Sequence, residues 1–157
     1  MSIEENKEVT RIFTKRWGEG DNTVFDELAT DDFTLHILTS HGVKSDIDGV
    51  KKLNEGGHTA FPDYSMEIVD MIAEDDKVMV IGKRTGTNTG VFGGLPPTGK
   101  TVTMYRMALY RLENGKIAEG WSIDDYLGQL QQLGFQIMPP TQKAEEYRSI
   151  NNGYRRE

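Results

Sequence analysis

The order of patterns along the chain constrains its fold more than any single motif does. Amphipathic helical segments come first, and segments alternating apolar and polar residues come last, at 64–73, 77–87, 101–112 and 116–123. Glu74-Asp75-Asp76 and Glu113-Asn114-Gly115 carry the turn residues of two hairpins. Helices grouped ahead of hairpin-linked strands predict an α+β domain with an antiparallel sheet, because a parallel βαβ sheet would need helices and strands to alternate.

Val9, Ile12, Phe13 and Trp17 recur at helical spacing behind an acidic first turn, which predicts a helix over about 3–17 ended by Gly18-Glu19-Gly20. Val24, Phe25 and Leu28 mark a short second helix with Asp21 or Asn22 as its N-cap, and Phe33 to Leu38 a short strand. Asp48 is placed to cap a third helix that runs toward Phe61 and stops at Pro62, with Gly56-Gly57 weakening its middle. These three helices can cover one face of the sheet. Past Gly134 the pattern changes, and Pro139-Pro140 cannot continue a helix. The expected organisation is therefore one domain over 1–138 and a partly helical or frayed extension over 139–157.

The 157 residues include no cysteine, which removes disulfides, thiolate nucleophiles and thiolate metal ligands. The three histidines, His36, His41 and His58, lack the spacing of a metal site, so no metal is expected. A formal net charge of −7 opposes general binding to nucleic acid or an anionic membrane. No run of about 18 apolar residues is present to span a bilayer, and the first residues lack the basic and apolar regions of a secretion signal. The expectation is a cytoplasmic protein whose partner is a hydrophobic small molecule or a second copy of itself, as a homodimer or higher oligomer.

Gly94 to Thr101 fits the bare phosphate-loop pattern Gly-x4-Gly-Lys-Thr. Its context does not. A phosphate loop needs free backbone N–H groups and a following helix, whereas Pro96 and Pro97 remove two donors and residues 102–110 read as a strand.

The same stretch, Gly90-Val91-Phe92-Gly93-Gly94-Leu95-Pro96-Pro97-Thr98-Gly99-Lys100, begins an ordered series. It continues through Glu113-Asn114-Gly115-Lys116-Ile117, Trp121 with Asp125 four residues on, and Gln132-Leu133-Gly134. Upstream lie Asn6-Lys7-Glu8, Trp17-Gly18-Glu19-Gly20-Asp21, Asp31-Asp32-Phe33-Thr34-Leu35-His36 and Ala60-Phe61-Pro62-Asp63. Taken in order, these residues resemble the SnoaL-like polyketide cyclases over about residues 4–135. The resemblance implies the cone-shaped fold of the ketosteroid isomerase and nuclear-transport-factor superfamily, a curled sheet and helices enclosing a pocket. It also implies cofactor-independent chemistry.

Asp125 is the residue that matches the family's catalytic aspartate. On a regular strand it would share one sheet face with Trp121 and Ile123, and apolar neighbours would make it a usable base. The competing reading is that Asp124 or Asp125 caps the helix beginning at Tyr126. Asp124 would take the pocket position instead if a bulge shifted the register. Trp121 is either a pocket wall or a core filler. His36 matches a histidine common at the end of the family's first strand and is a second catalytic candidate, with a partly exposed strand-end position as its alternative. Arg106, flanked by Met104 and Ala108 on its own face, and Tyr105 are further pocket candidates, and Arg84 is a weaker helper. Gly120 stands where family members commonly have a histidine.

The reaction implied is an intramolecular aldol closure of a polyketide-like or other carbonyl compound, with an aspartate as acid and base. A non-catalytic binding or oligomerising protein of the same fold is the alternative. An epoxide hydrolase of this fold would need a second carboxylate beside Arg106, and the i+2 position is Ala108.

Overall fold

The computed structural model describes residues 2–40 and 42–136; His41 and the expected extension at 139–157 lie outside the described residues. Helix α1 spans Ile3–Gly18 and starts at a capping box in which Ser2 Oγ accepts from Glu5 N while Glu5 accepts from Ser2 N at 2.7 Å. It buries Asn6, Thr10, Phe13, Thr14 and Trp17. That face is rotated from the predicted stripe, leaving Ile12 exposed, because the aromatic pair Phe13 and Trp17 carries most of the area available for burial. Helix α2 (Val24–Leu28) follows, its N-cap Thr23 making no side-chain cap bond. Helix α3 (Ile47–Ala60) is capped by Asp46, whose carboxylate accepts from Gly49 N at 2.9 Å, two residues ahead of the predicted Asp48.

Six strands form one sheet: β1 (Ala29–Ile37), β2 (Val43–Ser45), β3 (Ser65–Glu74), β4 (Lys77–Thr87), β5 (Thr101–Glu113) and β6 (Lys116–Asp124), in the order β2-β1-β6-β5-β4-β3. The sheet is curled and not closed, with the N-terminal helices against it. Strands β3 to β6 are the predicted antiparallel meander, and the β5–β6 turn carries Asn114 and Gly115 at φ 49° and 82°, the left-handed pair that a two-residue hairpin requires. One pairing departs from the expected antiparallel sheet. Strand β1 runs parallel to β6, which is possible because α3 and four strands, β2 to β5, separate them in sequence and provide the long crossover that a parallel pair needs.

The core lies between α1, α2 and the concave face. Phe13 is fully buried at its centre, with ring centroids 5.1 Å from Phe25, 5.5 Å from Tyr110 and 6.0 Å from Trp17. Edge-to-face and tilted contacts of this kind add stability beyond the area they bury. Gly120 belongs to the same core. A Cβ at that position would come within 3.0 Å of Leu35 Cδ1 and 3.1 Å of Tyr110 Cδ1, so Tyr110 occupies the room that a larger side chain would need. Gly120→His is expected to lower stability by roughly 1–3 kcal/mol through overpacking, read as a lower urea midpoint with an unchanged m-value; an unchanged midpoint would show that Tyr110 swings aside freely.

Candidate active site

Strand β6 decides which side chains meet in the interior. Leu112 pairs with Ile117 and Arg111 with Glu119, leaving Ala118 as an extra residue in a bulge. Ile117 and Ala118 are consequently both buried, and beyond them the even-numbered residues Gly120, Ser122 and Asp124 face inward. Asp124 ends the strand 4% exposed, its backbone N–H donating to Thr39 Oγ1 at 2.9 Å.

The bulge turns Asp125 and Trp121 away from their expected place, and His36, next to buried Leu35 on β1, also faces away from the cavity. Asp125 is exposed and is the N-cap of α4 (Tyr126–Leu133), its Oδ1 accepting from Gly128 N at 2.8 Å. Trp121 and Ile123 do share a face, but it is the outer one. His36 pairs with Trp121 across β1 and β6 and stacks on it, centroids 5.1 Å apart and planes 5° apart, with Nε2 2.8 Å from Glu119 Oε1. Bonded to His36 and then to Arg111, Glu119 is held below its ordinary value. Tyr105, half-exposed, also faces outward, and its carbonyl accepts from Asp125 N at 3.0 Å. Of the residues expected at the site, Arg106 and Asp124 line the cavity, together with Arg84, the weaker candidate.

That cavity has a volume of about 50 Å³ and is walled by Trp17, Leu35, Ile37 and Val50, with Arg84, Arg106, Asp124 and Ser122 contributing polar atoms. Leu53 and Tyr126, 58% and 40% exposed, are also in its lining and mark its opening. Arg106 lies directly between Gly82 of β4 and Asp124 of β6. Its Nη1 is 3.6 Å from Asp124 Oδ1, and its guanidinium sits 4.3 Å from the Trp17 ring centroid. Burial is the largest single influence on the Arg106 guanidinium and depresses it, but the Asp124 carboxylate, joined by Tyr110 and Tyr126, more than offsets burial and holds it above its ordinary value. Arg84 is the residue that sequence reasoning undervalued. It follows Val78, Val80 and Gly82 on the inward face of β4, and an arginine that continues a buried alternation was the available signal. Its guanidinium lies 4.9 Å from the Tyr64 ring centroid. Trp17, Asn54, Ser122 and Tyr126 were not anticipated at the site, since α1, α3, β6 and α4 converge there only in three dimensions.

Chemically, the arrangement offers one buried carboxylate beside the Arg106 guanidinium, with a second buried guanidinium, Arg84, on the next strand, in a small cavity of mixed polar and apolar lining. It can exchange a proton with a ligand and stabilise negative charge that develops on an oxygen. Among the described residues, no cluster of three metal-ligating side chains occurs, and no helix is long and apolar enough to cross a membrane. The Gly94 to Thr101 stretch is used structurally. Asn88 Oδ1 accepts from Thr98 N at 2.8 Å, Gly99 N donates to Asn88 O at 2.9 Å, and Lys100 Nζ donates to the Leu133 carbonyl at 3.2 Å, at the end of α4. Thr101 then opens β5 rather than a helix.

No curated protein matches the chain. Several solved structures do. AclR, a candidate hydroxylase from Streptomyces galilaeus, is 28% identical with a TM-score of 0.77, covering 85% of this chain and 98% of its own. IdmH, a candidate polyketide cyclase from Streptomyces antibioticus, is 26% identical with a TM-score of 0.75 over 83% of this chain and 99% of its own. A candidate polyketide cyclase from Acidithiobacillus ferrooxidans is 30% identical with a TM-score of 0.73 over 85% and 97%. The family model described as SnoaL-like polyketide cyclase matches residues 7–133, from the first turns of α1 to the end of α4 and so across every element that walls the cavity. The chain belongs to the SnoaL-like polyketide cyclase family.

Proposed function

We propose that the protein is a cofactor-independent cyclase or isomerase of carbonyl compounds in which Asp124, rather than the cap residue Asp125, is the acid–base group. The observation that carries this reading is that Asp124 is the carboxylate lining the interior cavity, 4% exposed and opposed by Arg106. In the reaction, Asp124 takes a proton from carbon beside a carbonyl, and the carbon–carbon π electrons of the resulting enolate attack a second carbonyl of the same molecule. Asp124 then returns its proton to the new alkoxide, so atoms and charge balance without a cofactor. Arg106 faces the charge as it moves from the carboxylate to the substrate oxygen. Trp17, Leu35 and Val50 keep the exchange out of water. The small volume admits the reacting carbonyl and its neighbours, and the remainder of the molecule extends past Leu53 and Tyr126.

Ala108 is buried on the inner face beside Arg106, so the second carboxylate of an epoxide hydrolase is not supplied there. The outer face of the sheet exposes Ile72, Tyr105, Met107 and Ile123, apolar area that supports association with a second copy. The test of the proposed chemistry is deuterium uptake from heavy water at the α-carbon of 2-tetralone, a flat bicyclic ketone, followed by proton NMR. Exchange saturable in ketone and faster than in buffer is expected. Exchange at the buffer rate would leave the cavity a binding site without catalysis.

A further inference from the structure

Among the described residues, the charges around the cavity do not balance. Arg84 and Arg106 are 9% and 8% exposed and bring two positive charges, and Asp124 brings one negative charge. The other polar neighbours supply none. Burial pushes Tyr64 up to about 12 and raises Tyr126, so both phenols are neutral. His58, lowered by burial and by Arg84, is not an anion in either protonation state. Arg84 makes no ion pair among the described residues, and its Nε and Nη2, like those of Arg106, are buried without a hydrogen-bond acceptor. Its Tyr64 contact orients the guanidinium but contributes no counter-charge. Burial and the neighbouring Arg106 accordingly depress the Arg84 guanidinium.

Leaving a buried cation unpaired is costly, and proteins tolerate it where a ligand supplies the missing partner. The proposed reaction cannot do so. Proton transfer neutralises Asp124 as it creates the enolate, so the surplus is one positive charge before the transfer and one after it. The missing charge must be permanent and must arrive with the substrate. Resting on the acid–base reading of this cavity, we infer that the substrate carries a carboxylate in addition to its reacting carbonyl, and that Arg84 binds it through its planar pair of N–H donors.

A monoanion matches a surplus of one, whereas a phosphate dianion would overcompensate it. The guanidinium fork matches two carboxylate oxygens. The chain as a whole is acidic at −7, so an anion gains nothing from long-range attraction and its affinity must come from this local pairing. Arg84 and Arg106 also divide the work sensibly. Arg106 is tied to Asp124 at the reacting end, and Arg84, on the neighbouring strand and diagonal to it, is free to hold a group that does not react.

The test uses the full chain and a matched pair of flat probes, 2-naphthoate and its methyl ester, in calorimetric titrations. The wild-type protein is expected to bind the acid on the order of tenfold tighter than the ester. Arg84→Gln should bring the acid down to the ester's affinity and leave the ester unchanged, and Arg84→Lys, which keeps the charge but not the fork, should fall between. Arg84→Gln is also expected to melt no lower than wild type, since it removes an unpaired buried charge. Equal binding of acid and ester by the wild type, no binding of either, or an acid preference that survives Arg84→Gln would overturn the inference. Should Arg84→Gln fail to fold, the wild-type comparison and Arg84→Lys still decide. The acid–base role is read separately: Asp124→Asn should retain the acid preference while losing ketone exchange. Loss of the acid preference in Arg84→Gln with full exchange in Asp124→Asn would sink the base assignment alone.

Discussion

Asp124→Asn is expected to slow α-carbon exchange by on the order of a hundredfold or more, because the amide keeps the shape of the carboxylate but cannot take a proton. Asp125→Asn, one residue away, is expected to exchange at nearly the wild-type rate. Its asparagine remains a good N-cap for α4, replacing a carboxylate that accepts from Gly128 N at 2.8 Å. The pair separates the buried position from the exposed one within a single peptide unit. Asp124→Asn should also melt lower than wild type, since Arg106 loses its counter-charge; ligand titration and circular dichroism therefore accompany the rates, so that loss of fold is not mistaken for loss of chemistry. The reverse outcome, with Asp125→Asn inactive and Asp124→Asn active, would place the chemistry at the exposed end of the strand.

The largest effect on stability is expected at Phe13. Its fully buried ring contacts Trp17, Phe25, Phe33 and Tyr110, and no small side chain can bridge that space. Phe13→Ala should cost about 3–5 kcal/mol through lost burial and the cavity that remains, a large fraction of the ~5–15 kcal/mol that holds an ordinary domain together. Chemical denaturation checks it. A shift below about 1 kcal/mol would mean that the aromatic cluster closes over the gap, contrary to the close packing of such interiors. Trp17 connects this cluster to function, because the same ring touches Phe13 on one side and carries the Arg106 guanidinium on the other. Loosening the cluster should therefore also reduce ketone exchange.

The succession of elements was legible in the residues themselves. Helical spacing located α1, turn chemistry at Asp75 and at Asn114-Gly115 located both hairpins, and alternation located β3 to β6 to within a residue or two. These features depend on neighbours a few positions apart, which a sequence displays directly. The short strand β2 and the parallel β1–β6 pair were not legible, since both depend on partners distant in the chain.

For the candidate site the division is sharper. That Asp124 and Asp125 follow Trp121, and that Arg106 lies between Met104 and Ala108, is local information, and it narrowed the cavity's polar residues to a few. Which of the two aspartates faces inward depended on the extra residue Ala118, set by how β6 pairs with β5 and β1. Side chains alternate with a period of two, so one unpaired residue exchanges the two faces of everything beyond it. It turned Trp121 and Ile123 outward, Ser122 and Asp124 inward, and left Asp125 past the end of the strand as a helix cap. Arg84 shows the same limit in another form. Its alternation with Val78, Val80 and Gly82 marks an inward position in the sequence, but its lack of a counter-charge emerged only when β4, β5, β6 and α4 were assembled around one cavity, because charge balance is a property of neighbours in space.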